Sequence, residues 1–374
     1  MKVISKFVQF VLSCLVVALL VSCASGKTKP TDLGINPALQ KVRTAWTANI
    51  GTVDAQLEVK VVGNALALAS SDGTVVFLDA HTGADLWRSH VGAPITAGVG
   101  SDGRYVAVVT NQNELVTLDA GHEVWRTRLS SQVFTSPLVA GKRVFVLSAD
   151  RSLAAFDGVS GRRLWQNQRP GDALVLRKSG VLMAVDNTLV VGFSGHLVGI
   201  NPTNGQVDWD VTIATSRGSN DVERMVDLVS GVSRDGNNVC VRAFQSAVGC
   251  VNTLWGSVSW KRLASGAVGL HGDGQQVYGV EGDGKLLAWR RRDGELVWES
   301  DRLRYRELTT PLVVGDAVVV GDDTGLVHWI SRTDGSPLTW IATDDSAIAT
   351  APVLAGQTLV VVTGKGGVFG FLPE

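Results

Sequence analysis

The sequence predicts an all-β, eight-bladed β-propeller with four antiparallel strands per blade, its ring closed by an N-terminal strand that joins the C-terminal blade. Three observations carry this. Trp46, Trp87, Trp125, Trp165, Trp209, Trp260, Trp298 and Trp340 follow one another at intervals of 38 to 51 residues, the signature of repeated units that bury a core only by assembling. Runs such as 74–79, 143–148 and 317–321 are filled with β-branched and aromatic residues and bounded by Gly, Asp and Asn, which is strand chemistry. No part of the repeat sustains a 3.6-residue period, so helical solenoids are excluded.

In chain order, residues 1–22 read as a lipoprotein signal peptide. Lys2 and Lys6 precede the apolar stretch Phe7 to Leu20, which is too short for comfortable membrane spanning. It ends in Leu20-Val21-Ser22-Cys23, which resembles the bacterial lipobox. That resemblance implies cleavage before Cys23 and acylation of its thiol. With Ala24 rather than Asp next, it also implies an outer-membrane destination, lipid-anchored on the periplasmic face. Residues 23–41 then comprise the lipidated cysteine and a flexible linker of Ser, Gly, Lys, Thr and two prolines, expected to be a mobile tether.

Residues 42–374 read as the propeller domain. The phrase Asp79-Ala80-His81-Thr82-Gly83-Ala84-Asp85-Leu86-Trp87 recurs in degraded copies, each with a glycine shortly before its tryptophan. Trp46 lacks that phrase, and the last unit stops at Glu374 where its own tryptophan strand should begin. The segment Val42 to Ile50 can therefore complete the last blade and remove the unpaired edges of an open ring. Eight tryptophan strands give eight blades, with seven as the alternative because the fifth unit is irregular. The periodic tryptophans are expected to clamp neighbouring blades, while Trp255, Trp289 and Trp329 lie off the period and should pack locally.

The repeat resembles the tryptophan-docking blades of the pyrroloquinoline-quinone (PQQ) enzyme superfamily over about residues 42–372. That likeness specifies fold rather than chemistry. Dehydrogenases of that superfamily set adjacent cysteines beside the quinone and hold calcium with clustered carboxylates. No adjacent cysteine pair occurs here, and Asp322-Asp323-Thr324-Gly325, which could bind a cation, fills the same hairpin slot as Ser71-Asp72-Gly73. Cys240 and Cys250 flank a hairpin turn at Gln245-Ser246. A two-residue turn would put them on opposite sheet faces and exclude a bond, whereas a three-residue turn would set them directly opposite. Two buried free thiols are the favoured reading.

The six histidines are scattered over different units. Gly272-Asp273-Gly274, Gly282-Asp283-Gly284 and Asp322-Asp323-Thr324-Gly325 fill hairpin slots with no helix behind them to form a phosphate site. No nucleophile, base and orienting group can be assembled, so no catalytic, cofactor-binding or metal residues are expected. A net charge of -1 excludes a basic field for nucleic acid.

The two longest irregular intervals are neighbours, and insertions of this kind in repeat proteins often bind partners. One contains Leu174, Leu176 and Arg177, the other Glu223, Arg224 and Asp227. Both lead from an outer strand to the next inner strand, so they should emerge side by side. From lipobox to closure strand the chain resembles the BamB family, propeller lipoproteins of the outer-membrane β-barrel assembly machinery. Leu308 to Val313, Gly321 to Ile330 and Gly218 to Asp227 are especially close. The resemblance implies a non-catalytic scaffold that aids insertion of β-barrel proteins, with unfolded outer-membrane clients as further partners. It also implies that a POTRA domain of the barrel-inserting subunit contacts Leu174, Leu176 and Arg177 and an acidic pair. Asp227 matches the first acid, but Val229 replaces the second, which leaves that contact to Glu223 or Asp227 beside Arg224. Alternative readings are a periplasmic PQQ-type dehydrogenase, a ligand-binding propeller, or a propeller of polysaccharide or division machinery.

Overall fold

A computed structural model describes residues 28–53, 57–171, 174–216 and 224–374. Its strands, numbered β1 to β32 in chain order, form eight four-stranded antiparallel sheets. Seven are built from consecutive strands. The eighth has the order β1-β32-β31-β30, where β1 is Val42–Asn49 and the others are Val353–Ala355 (β30), Thr358–Val362 (β31) and Gly367–Pro373 (β32). Val42 faces Pro373 and Asn49 faces Gly367, so the two ends of the chain share a blade as expected.

Within a blade the second and third strands are buried along almost their whole length, as in Ala65–Ala69 and Thr74–Asp79. Neighbouring blades cover both of their faces, so the sequence there is continuously apolar rather than alternating. The outer strands face solvent on one side and alternate accordingly, as Asp85–His90 does.

The tryptophans join blades as expected, and the geometry explains the glycine that accompanies them. Trp46, Trp125, Trp165, Trp260 and Trp298 donate Nε1–H to carbonyls of Ala80, Gly158, Pro202, Arg291 and Arg332, each in the following blade. The turn glycine belongs to that following blade. Gly161, at φ 68, lies so close under Trp125 that a Cβ there would come within 2.6 Å of the indole. Glycine is therefore required twice, for the left-handed backbone and for the ring pressed against it. Trp289 and Trp329 are buried, but Trp255 is 75% exposed and does not pack locally. It occupies a turn whose shape is already held by Asn252, whose side chain accepts the Leu254 and Trp255 amides.

Part of the expected free linker lies on the propeller. Thr31 N–H donates to the Arg304 carbonyl (3.0 Å), Asn36 Nδ2 to the Trp340 carbonyl (2.9 Å) and Leu39 N–H to the Leu338 carbonyl (2.8 Å). Leu33 packs beside Leu303 and Leu308. Among the described residues no glycine presses on Trp340 as on the other periodic tryptophans, and the strap bonds along its strand instead.

Cys240 and Cys250 form a disulfide, which corrects the reading of two free thiols. Ala243 pairs with Ala247 across the three-residue loop Phe244-Gln245-Ser246, so Cys240 faces Cys250 directly. The two-residue alignment with Asp72-Gly73 failed because that turn is itself a three-residue loop. Ser70 N–H bonds to Thr74 O, and Gly73 takes the left-handed position at φ 107. Reducing the bond should lower stability by about 2–3 kcal/mol, the closure entropy of a loop this short. Denaturant melts with and without reductant measure it, and unchanged midpoints would show that the link contributes nothing.

Candidate partner-docking site

Two long connections sit at adjacent blades. Residues 169–181 join β13 (Arg163–Gln168) to β14 (Leu182–Val185), and residues 213–227 join β17 (Val207–Thr212) to β18 (Leu228–Asp235). Each runs from an outer strand to the next inner strand, which places both on one face of the ring. They touch where Leu176 N–H donates to Asp227 Oδ2. The first also runs along the start of β18, where Gly180 and Val229 form an antiparallel bridge and Ser230 N–H donates to the Ser179 carbonyl at 2.8 Å.

Pro170 stops the outer strand of the third blade because it has no N–H for the ladder. Arg169, just before it, holds Asp210 of the fourth blade with an Nη2 to Oδ2 distance of 2.5 Å, and its guanidinium lies 5.3 Å from the Phe193 ring. His196 binds the other oxygen of Asp210 at 2.7 Å. Burial alone would raise the Asp210 pKa, but hydrogen bonds from His196 and Arg169 outweigh it and hold the group below the ordinary carboxylate value. The loop then arches over Arg151, which is buried and donates Nε to Ser194 Oγ (3.2 Å) and Nη2 to the Leu174 carbonyl (3.3 Å). Sequence reasoning missed Arg151. The signal was an arginine at φ 61 in the hairpin slot that Gly73 fills in the first blade.

Beyond this support, Leu174 is 44% exposed, Leu176 is half-buried, and exposed Arg177 stacks 5.6 Å from the Phe134 ring. Leu176 N–H donates to Asp227 Oδ2 at 2.9 Å, so the carboxylate of the second loop fixes the backbone of the first. The structure thus brings Leu176 and Asp227 together at a crevice of about 60 Å³ that is also lined by Val175, Phe134, Leu147 and Phe193, while Leu174 and Arg177 flank Val175 and Leu176 along the same loop. Lys178 also lines the crevice and donates to the Ala267 carbonyl at 3.1 Å across the Phe244 ring. Desolvation holds its ammonium below the usual lysine value.

The rest of the expected set divides. Arg224 is half-buried, and its carbonyl accepts Ser216 Oγ at 2.9 Å. Glu223 and Cys23 lie outside the described residues. Val229, where the resemblance calls for a second acid, is buried and paired with Arg242, so an acid there would lose its solvation. Among the described residues no three His, Cys, Asp or Glu side chains converge as metal ligands. What this arrangement offers chemically is a small apolar anchor with a cationic rim, held rigid from beneath.

The family profile described as outer membrane protein assembly factor BamB matches residues 71–300. The protein named outer membrane protein assembly factor BamB from Burkholderia pseudomallei is 33% identical over 381 residues, covering all of both chains. Its counterpart from Bordetella pertussis is 35% identical, covering 90% of this chain and 89% of its own. Among solved structures, BamB from Moraxella catarrhalis superposes with a TM-score of 0.81 at 22% identity, covering 88% of this chain and 99% of that one. The quinohemoprotein alcohol dehydrogenase of Comamonas testosteroni shares the fold alone, with a TM-score of 0.69 at 15% identity over 95% of this chain and 83% of its own. With a profile matched across most of the blades and a full-length relative one-third identical, the chain belongs to the BamB family of outer membrane protein assembly factors.

Proposed function

We propose that this chain is a non-catalytic scaffold of the outer-membrane protein assembly machinery, lipid-anchored through Cys23 on the periplasmic face. In this reading it binds the POTRA region of the barrel-inserting subunit and so aids insertion of β-barrel proteins. The observation that carries it is the Leu176 to Asp227 hydrogen bond, which presents Leu174 and Arg177 outward from a braced loop. Interfaces draw most of their energy from a few such anchors, and bracing a loop beforehand removes an ordering cost from binding. Leu174 supplies the apolar contact and Arg177 a rim charge for an acidic patch, while Asp227 acts through the loop it positions. No specific feature favours the dehydrogenase alternative, since the likeness to a quinohemoprotein extends only to fold.

The test is co-purification from solubilised outer membranes. The double variant Leu174→Ala with Arg177→Glu should lose the POTRA-containing subunit, because truncating an anchor and reversing a rim charge together cost about 2–4 kcal/mol. Both residues are accessible from solvent, so the thermal melt should be unchanged. Undiminished recovery in this variant would refute the site, and would point instead to strand addition at a blade edge.

A further inference from the structure

We infer that the strap and the linker between the sixth and seventh blades form a patch that rests on the phospholipid leaflet holding the lipid anchor. The inference builds on the anchoring of Cys23 proposed above.

Residues 301–311 connect an outer strand to the next inner strand, as the two docking loops do, so they emerge on the same face of the ring. Here the N-terminal segment leaves the propeller. Arg306 Nη2 donates to the Thr31 carbonyl at 3.4 Å, and Thr31 N–H returns a bond to Arg304 at 3.0 Å. Only six residues separate Cys23 from Pro30, a reach of about 25 Å even when fully extended. A free linker starting at residue 41 would let the ring tumble at a distance, whereas this strap holds one flank near the bilayer.

That flank has the composition of an interfacial surface. Tyr305 is 42% exposed, stands at φ 63 on the outside of the turn, and has the Arg304 guanidinium stacked 5.1 Å from its ring. Ile35, on the strap two residues beyond Leu33, is 93% exposed. Arg302 and Lys29 are exposed beside them. Tyrosine and aliphatic side chains favour the headgroup boundary, and lysine and arginine near anionic lipid add attraction. Arg304 and Arg306 are neutralised by Asp283 and Asp322, and exposed Asp32, Asp301 and Glu307 offset Arg302 and Lys29, so Tyr305 and Ile35 rather than net charge draw this flank to lipid. A protein partner could also use an exposed tyrosine, but the short tether brings lipid to this place.

The measurement uses the mature lipidated protein in vesicles of phosphatidylethanolamine and phosphatidylglycerol, spin-labelled at Tyr305→Cys, at Arg302→Cys, or at Leu254→Cys. Leu254 lies on a third-to-fourth-strand turn on the other face of the ring. Cys240 and Cys250 are bonded to each other and do not compete for label. Labels at 305 and 302 should be shielded severalfold from an aqueous relaxation agent and exposed to dissolved oxygen, while the label at 254 stays fully aqueous. The mass of the mature chain reports the acyl groups independently. An unmodified Cys23 would overturn the anchoring and this inference with it. A lipidated chain whose three labels are equally aqueous would overturn this inference alone.

Discussion

Trp125→Ala is expected to destabilise the propeller by about 3–5 kcal/mol, the range for deleting a large buried aromatic side chain. Trp125 is only 9% exposed and forms one wall of the junction between the second and third blades. Its ring packs on Gly161, and its Nε1–H satisfies the Gly158 carbonyl at 2.9 Å. Removing it leaves a cavity that the backbone of the next blade cannot fill, because that turn is held by Asp157, which accepts the Val159 and Ser160 amides. Trp125→Phe keeps most of the area and loses the hydrogen bond, so its cost should be nearer the roughly 1 kcal/mol of one such bond. Urea denaturation of the two variants separates packing from hydrogen bonding. Equal midpoints for both and the parent would show that the indole is not an inter-blade clamp.

Asp322→Ala should cost a comparable 3–5 kcal/mol, because it leaves a buried guanidinium without its partner. The Asp322 side chain is fully buried and accepts Arg306 Nη1 at 3.0 Å and His328 Nε2 at 2.9 Å on one oxygen. The other oxygen takes the Thr324 and Leu326 amides at 2.8 and 3.0 Å. Burial pushes the carboxyl pKa up, but hydrogen bonding and charge from His328, with the amide bonds, overcome it and hold the group far below its ordinary 3.8. Its folded-state pKa is depressed, so the stabilisation is fully present above about pH 4 and is lost as pH falls below that. Acid melts of the parent should therefore steepen below about pH 4, whereas Asp322→Ala, already lacking the group, should show a shallower dependence there. Parallel acid profiles for the two would refute this role.

The same hairpin shows where sequence reading reached and where it stopped. Asp322-Asp323-Thr324-Gly325 was legible as a turn because Asp and Gly declare one locally. That its carboxylate would neutralise Arg306 and meet His328 depends on how the preceding linker and the third strand fold over it, which no local rule encodes. The blade count and the closure by Val42–Asn49 were legible for a related reason: a tryptophan repeated at one point of every unit reports the number of units directly. The cysteine pairing failed on a single residue of loop length, since a period of two reverses every side chain when the register slips by one. In the docking loops the apolar and charged residues stood out as departures from the repeat, whereas their support from Arg151 was hidden in a slot that reads as turn chemistry. The strap was invisible because Ser, Gly, Lys and Pro look like a linker whether or not a blade edge lies beside them.

Sharing one blade between β1 and β32 also governs when the molecule can become complete. The first strand of the ring must wait for the last, since Trp46 faces Gly370 and Thr44 faces Phe371. A chain released a few residues early would carry seven finished sheets and an eighth with a missing rung. Its ends would be open to proteases and to other unfinished strands, so the closing pair distinguishes whole copies from broken ones.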